Sequence, residues 1–218
     1  MTALTLKFLA VLSMFIDHAG AVLFPGVMWM RYIGRLAFPI YAFFIVEGFV
    51  HTRSVKKYLL RLFVFALISE VPFNLAFRGQ FFAPDYQNVF FTLFLALLAL
   101  VLVRQFSGNF FLQALSVACL ALTAQELHTD YRYVGVCLVT LLYVYRKRSL
   151  PAFVSAVLVL VPFLSRIEWF SLLSFIPLKG YNDKRGKFGL KYFFYLFYPL
   201  HLMLLVSIRR FLTGSWTY

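Results

Sequence analysis

Residues 5–24 read TLKFLAVLSMFIDHAGAVLF, an apolar run whose only ionisable side chains are Lys7 near its start and Asp17 and His18 past its middle. A helix rises ~1.5 Å per residue, so this length spans the ~30 Å of hydrocarbon in a bilayer. Lys7 makes a weak basic region and Asp17-His18 falls late in the run, which argues against a cleaved signal peptide. The stretch reads as a retained first span. Charged residues inside such a helix cost about 2.5–3.5 kcal/mol each near the bilayer centre, so they are candidates for function.

The rest of the chain repeats the pattern. Of 218 residues, 62% are hydrophobic, 20% aromatic and 13% charged, whereas soluble domains are about half apolar and a quarter charged. Further apolar runs lie at about 32–50, 58–77, 89–103, 110–124, 133–145, 150–164, 169–178 and 192–208. The expectation is an all-α, polytopic transmembrane bundle of about nine spans (eight to ten), forming a single domain over 1–218. The runs at 133–145 and 169–178 are short enough to be tilted or re-entrant. Pro39, Pro72 and Pro199 lie inside runs and are expected to kink them. Cys119 and Cys137 fall within apolar runs and read as small buried hydrophobes, neither a disulfide nor a metal pair.

The net charge of +13 comes from 21 Lys and Arg against 8 Asp and Glu. The basic residues form short clusters between apolar runs, without a nucleic-acid motif, so the lipid bilayer and its insertion machinery explain them and nucleic acid does not. With the amino terminus in the cytoplasm, the clusters Arg53–Arg61, Arg146–Arg148 and Lys179–Lys191 all fall on the inner side. The outer side carries only Arg31, Arg35, Arg78, Arg132, Arg166, Arg209 and Arg210. That asymmetry places the amino terminus inside, with Arg209-Arg210 as the weak point of the assignment.

Within the runs, polar residues recur at helical spacing. Arg31 and Arg35 are one turn apart and share a face with each other at the depth of Asp17 and His18. Glu47 and Arg61 lie near inner ends, as a mutual pair or as binding groups. Glu70 and Asn74 flank Pro72, Asn88 and Thr92 enter the fourth run, and His201 follows Tyr195 and Tyr198 at intervals of three. Each has a packing explanation, a buried ion pair or a hydrogen-bonded core histidine, beside its functional one. Adjacent residues on a helix point ~100° apart, so Glu70 is a better orienting partner for His18 than Asp17 is.

A neutral imidazole can accept a proton or an acyl group, and guanidinium groups can bind an anion or a developing oxyanion. This set suits acyl transfer in the membrane, with His18, Asp17, Arg35 and Glu70 catalytic. It also suits a proton-coupled transporter in which Asp17, Glu70 and Arg35 carry protons or an anion. An assembly or scaffold protein of a secretion machine is a third possibility, one that leaves the buried charges unexplained. Ligand spacing for a metal is absent. Basic residues of the inner loops, Arg53, Arg61, Lys184 and Arg185, with Arg31, could hold the phosphates of a nucleotide-bearing donor such as coenzyme A. Lys179–Lys187 is expected to be a flexible basic loop for this purpose. Glu47, Asn74, Asn88, Thr92, Tyr198 and His201 are candidates for contacting the acceptor.

An ordered set of motifs carries a family resemblance. It runs Leu6-Lys7, Met14 and Asp17-His18, then Ile33-Gly34-Arg35-Leu36-Ala37-Phe38-Pro39, Glu47-Gly48 and His51-Thr52-Arg53. It continues through Tyr58, Arg61-Leu62, Pro72-Phe73-Asn74, Asn88-Val89 and Phe91-Thr92-Leu93. Tyr181-Asn182, Lys184-Arg185-Gly186, Phe194-Tyr195 and Phe197-Tyr198-Pro199-Leu200-His201-Leu202 complete it. Together these resemble the TraX family over most of the chain, least so between about 104 and 165. The resemblance implies a multi-pass protein of the bacterial cytoplasmic (inner) membrane, related to the transmembrane acyltransferase superfamily. The member that gives the family its name looks like an acetyltransferase acting on the amino terminus of conjugative pilin. In the wider superfamily a histidine of the first span is catalytic and acetyl-CoA is the donor; His18 matches it, accompanied by Asp17. Asp183 stands where the family pattern has a glycine, and Arg132 where it has a small residue. The acceptor, a pilin-like peptide amino terminus or another amine or hydroxyl such as an envelope glycan, does not carry over.

Overall fold

The computed structural model describes residues 1–146, 154–155, 166–186, 190–214 and 216. Regular structure among them is helical, apart from one isolated bridge between Gln87 and Thr129. The helices are α1 (Ala3–Val22), α2 (Met28–Gly34), α3 (Ala37–His51), α4 (Val55–Arg78), α5 (Val89–Gln105), α6 (Phe110–Glu126), α7 (Arg132–Val144), α8 (Phe175–Lys179) and α9 (Lys191–Thr213). Four stretches, Ala3–Val22, Met28–His51, Val55–Arg78 and Tyr192–Thr213, are long and apolar enough to cross a membrane, and α5, α6 and α7 are shorter apolar helices. Of the nine runs expected to span, seven form apolar helical stretches among the described residues, four of them long enough to cross a membrane. The run at 169–178 forms a 3-10 segment, Arg166–Ser174, followed by five residues of α-helix. The run at 150–164 lies almost wholly outside the described residues.

The chain folds as two compact units. The first comprises Met1–Tyr41, Ile68–Ala83 and Leu164–Tyr218. In it α1 packs against α2 and α9, and α2 against the 3-10 segment. Thr2 starts α1 by accepting a hydrogen bond from the Thr5 amide at 3.3 Å, satisfying one of its orphan donors. Loop carbonyls satisfy two more: Ala3 N–H donates to Lys184 O at 2.8 Å and Leu4 N–H to Arg185 O at 3.2 Å. The loop that the sequence marks as flexible is thus tied to the start of α1. Leu6, Ala10, Ser13, Asp17 and Gly20, spaced by three and four, form the buried face of α1, while Phe8 and Leu12 are exposed as lipid would require.

Between α2 and α3 the helix breaks at Arg35-Leu36. Pro39 accounts for it, because it has no N–H to give the Arg35 carbonyl and its ring crowds that group. Helices α4 and α9 run through Pro72 and Pro199. The end of α4 is closed by an arginine. Arg209, 4% exposed, donates to Leu75 O at 2.7 Å and Ala76 O at 3.1 Å, two of the carbonyls a helix terminus leaves unpaired.

The second unit comprises Ala42–Leu67 and Pro84–Phe163. Here α5, α6 and α7 pack on one another. Asn88 caps α5, accepting from the Phe90 amide at 3.0 Å and donating to Ala66 O at 2.8 Å. The Thr92 hydroxyl bonds to Thr129 and to the Asp130 carbonyl, and Tyr86 donates to Asp130 at 2.8 Å, so the turn before α7 is fastened to the start of α5. Cys137 is partly buried, but Cys119 is exposed on α6, contrary to its reading as a buried residue. The surface of a membrane helix is apolar, so periodic hydropathy there does not separate inside from outside.

Candidate functional site

Two histidines that lie 183 positions apart share a hydrogen bond in the first unit. Nδ1 of His18 on α1 is 2.6 Å from Nε2 of His201 on α9, with the rings parallel to within 4°. The other nitrogen of His201, Nδ1, is 2.7 Å from the carbonyl oxygen of Phe197. A carbonyl can only accept, so His201 Nδ1 carries a hydrogen, and in the neutral ring Nε2 holds the lone pair. His18 Nδ1 then donates to it. The neutral His18 ring is left with a lone pair on Nε2, which has no hydrogen-bond partner among the described residues. A base whose rear nitrogen is held by a second group, its front nitrogen unengaged, is the arrangement that activates a hydroxyl or amine.

The pair is walled by aromatic rings. Phe77 from α4 and Tyr198 from α9 meet the His18 ring edge-on at 5.4 and 5.9 Å between centroids, and Phe15 and Phe197 flank His201 at 6.2 and 4.8 Å. His201 is buried and His18 half-buried.

Beside it lies a charge cluster. Both oxygens of Asp17 accept from Nη2 of Arg35 at 2.7 Å, and Arg35 Nη1 donates to Glu168 of the 3-10 segment, also at 2.7 Å. Arg31 sends Nη1 to the Asp17 carboxylate at 3.0 Å and to the Asp17 backbone carbonyl at 2.9 Å. Two guanidiniums thus meet two carboxylates, and the cluster is formally neutral, as burial in an apolar setting demands. Arg31 is the more accessible arginine, its side chain 27% exposed against 12% for Arg35. The close approach behind this cluster depends on glycine: a Cβ on Gly34 would sit 2.2 Å from Asp17 Cβ, and one on Gly20 2.7 Å from Met30 Cβ.

The structure thus gathers His18, Asp17, Arg31, Arg35, Tyr198 and His201 into one unit. Glu70, half-buried, and Asn74, 1% exposed, belong to the part of α4 in the same unit. Asn74 precedes Phe77 by one turn, and its Oδ1 accepts no hydrogen bond among the described residues. The hydrogen bond that His18 donates goes to His201, where the sequence had pointed to Glu70 as its partner. Lys184 and Arg185 are exposed on the loop that holds the start of α1.

The remaining candidates belong to the second unit. Asn88 and Thr92 are fully buried and occupied in the cap and turn described above. Glu47 pairs with Arg146 at 3.1 Å, and Arg61 lies over the Tyr58 ring at 5.5 Å with its Nε unpaired among the described residues. Arg53 is exposed. Glu168 was not singled out from the sequence; its one signal is a lone carboxylate at the edge of a short apolar run.

Compared with known proteins, the chain matches the family described as TraX protein over residues 3–209, a range that contains the whole of this site. The chain belongs to the TraX family. It is 32% identical over 241 residues to the "Probable fimbrial assembly protein FimC, serogroup H1" of Dichelobacter nodosus, covering 97% of each chain. It is also 31% identical over 106 residues to an uncharacterized protein of Rickettsia prowazekii (strain Madrid E), covering 49% of this chain and 39% of that one. No solved structure matches it. The two positions where the motifs depart from expectation, Asp183 and Arg132, share a backbone feature. Asp183 has φ 58° and Arg132 has φ 43°, both in the left-handed region where glycine is favoured. At both positions this member of the TraX family carries a side chain in a backbone conformation that costs side chains about 1 kcal/mol.

Proposed function

We propose that the protein is a membrane-embedded acetyltransferase that moves an acetyl group from cytosolic acetyl-CoA to an amine or hydroxyl acceptor at the non-cytoplasmic side. The observation that carries this reading is the His18–His201 pair, which leaves a lone pair on His18 Nε2 at a half-buried position. Nε2 of His18 takes the proton from the attacking amine or hydroxyl as the new bond to the acetyl carbon forms. His201 Nε2, hydrogen-bonded to His18 Nδ1, stabilises the imidazolium so produced. As the carbon–sulfur bond breaks, the imidazolium returns the proton to the thiolate, releasing coenzyme A as the free thiol. Arg31, held by Asp17 through Nη1 but the more exposed of the two arginines, stabilises the developing oxyanion, while Arg35 is engaged by both Asp17 and Glu168. Asp17 holds both arginines. Asn74 and Tyr198 border the acceptor's place, and Glu70 lies on the same helix as Asn74.

The proposal treats 1–218 as one acyltransferase-like domain of a bacterial cytoplasmic membrane, amino terminus inside. Lys184, Arg185, Arg53 and Arg61 are then on the cytoplasmic side, where the phosphates of acetyl-CoA are. Buried Arg209 has a structural duty at the end of α4, which removes much of its weight against this orientation. The Dichelobacter relative's name speaks of fimbrial assembly, and a pilin-like amino terminus is the acceptor class we favour. Proteoliposomes given radiolabelled acetyl-CoA and a synthetic peptide with a free amino terminus test the reading. Transfer is expected from the unaltered protein and not from folded His18→Ala. Equal transfer by that variant, or none by the unaltered protein to peptide or host envelope, overturns it. Proton-coupled solute flux in sealed vesicles without acetyl-CoA is the outcome that points to a transporter.

A further inference from the structure

The 3-10 segment contributes one charged group to the cluster beside His18, and no step of the proposed reaction uses it. Glu168 Oε1 accepts from Arg35 Nη1 at 2.7 Å, while Arg35 Nη2 grips both oxygens of Asp17. The other oxygen, Oε2, is buried without a partner among the described residues, so Arg35 is the carboxylate's single anchor. Ring stacking fixes the segment that carries it: Phe170 lies on Tyr32 of α2 at 4.5 Å, 9° from parallel. Asp17 is therefore held by Arg35 and Arg31, and Arg31 grips its backbone carbonyl, the peptide unit that leads into His18.

We propose that Glu168 is a positioning residue: acting through Arg35 and Asp17, it sets the rotation of α1 that keeps His18 on His201. The proposal rests on the acetyltransferase reading for its kinetic consequence, and on geometry alone for its structural one. A side chain lies about 5–6 Å from a helix axis, so turning α1 by about 10° moves the His18 ring by ~1 Å. That displacement is enough to break the 2.6 Å hydrogen bond to His201. Misplacement by ~1 Å costs about 10²-fold in rate when the chemistry depends on alignment. A group that sets alignment without touching acetyl-CoA changes kcat and leaves KM for acetyl-CoA alone.

Three variants test it in the full-length protein, reconstituted with labelled acetyl-CoA and a free-amino peptide. Glu168→Ala is expected to lower kcat about 10²-fold with KM for acetyl-CoA within about twofold. Glu168→Gln keeps an acceptor oxygen for Arg35 and recovers most of the rate. Glu168→Asp, one methylene too short to reach, recovers less than Gln. The second readout needs no turnover: in histidine-labelled protein, the NMR signal of the hydrogen-bonded His18 Nδ1 proton should weaken or shift in the Ala and Asp variants. A rate and a signal like those of the unaltered protein in Glu168→Ala, or in Glu168→Asp where the Ala variant does not fold, overturn the proposal. If the unaltered protein transfers no acetyl group, the acetyltransferase reading falls. The NMR signal then decides the role of Glu168 by itself, and an unmoved signal sinks it.

Discussion

Replacing Gly34 by alanine should break the charge cluster from behind. The added methyl carbon would lie 2.1 Å from Asp17 Oδ1, 2.3 Å from Cγ and 2.2 Å from Cβ, where ordinary contact begins at 3.4 Å. Because the Asp17 Cβ is itself too close, rotating the carboxylate away gives no relief. The backbones of α1 and α2 have to part by about 1 Å at this point, the difference between the actual and the tolerable contact. Such a shift takes the 2.7 Å bonds from Arg35 to Asp17 beyond hydrogen-bonding distance. Breaking a buried charge pair costs about 3–5 kcal/mol. For a chain of this size that corresponds to a fall in melting temperature of about 10 °C. Melting in detergent micelles measures it, with Gly26→Ala as the control, since nothing lies within 4 Å of a Cβ at Gly26. A Gly34→Ala protein that melts within about 2 °C of the unaltered one would refute the reasoning.

His201→Phe keeps an aromatic ring in the packing and removes the acceptor for His18 Nδ1; acetyl transfer to the probe peptide should fall about 10²-fold or more with the melting temperature little changed. Arg209→Met leaves the Leu75 and Ala76 carbonyls unpaired and should cost about 1–3 kcal/mol, with faster amide exchange confined first to the end of α4. Asp183→Gly relieves a left-handed backbone and should raise the melting temperature slightly, by the equivalent of about 1 kcal/mol, without altering acetyl transfer.

Composition and the length of apolar runs were enough to read an all-helical membrane protein, because lipid admits only helices and closed barrels, and continuous apolar runs of this length suit helices. Four of the stretches read as spans coincide with helices long enough to cross. The run at 169–178, already short for a span in the sequence, stayed ambiguous because hydropathy alone cannot separate a span from an apolar segment packed on another helix, as Phe170 is on Tyr32. His18, Asp17, Arg31 and Arg35 were legible as candidates because an ionisable group within an apolar run needs a reason to be there. Asn88 and Thr92 carried the same signal and turned out to cap and fasten α5, since side chains that satisfy backbone groups look like site residues in a sequence.

The one-dimensional chain determined the class of the protein and which side chains are costly to bury, since both follow from transfer free energies that each residue carries with it. Partnership was decided only in three dimensions. That His18 is oriented by His201 and not by a carboxylate, that Arg35 is claimed by Asp17 and Glu168 while Arg31 keeps more exposure, and that Gly34 makes room for Asp17 all depend on contacts between segments distant in the chain. Hydrogen bonds act over about 3 Å, and no spacing along a sequence encodes which two helices will bring their side chains that close.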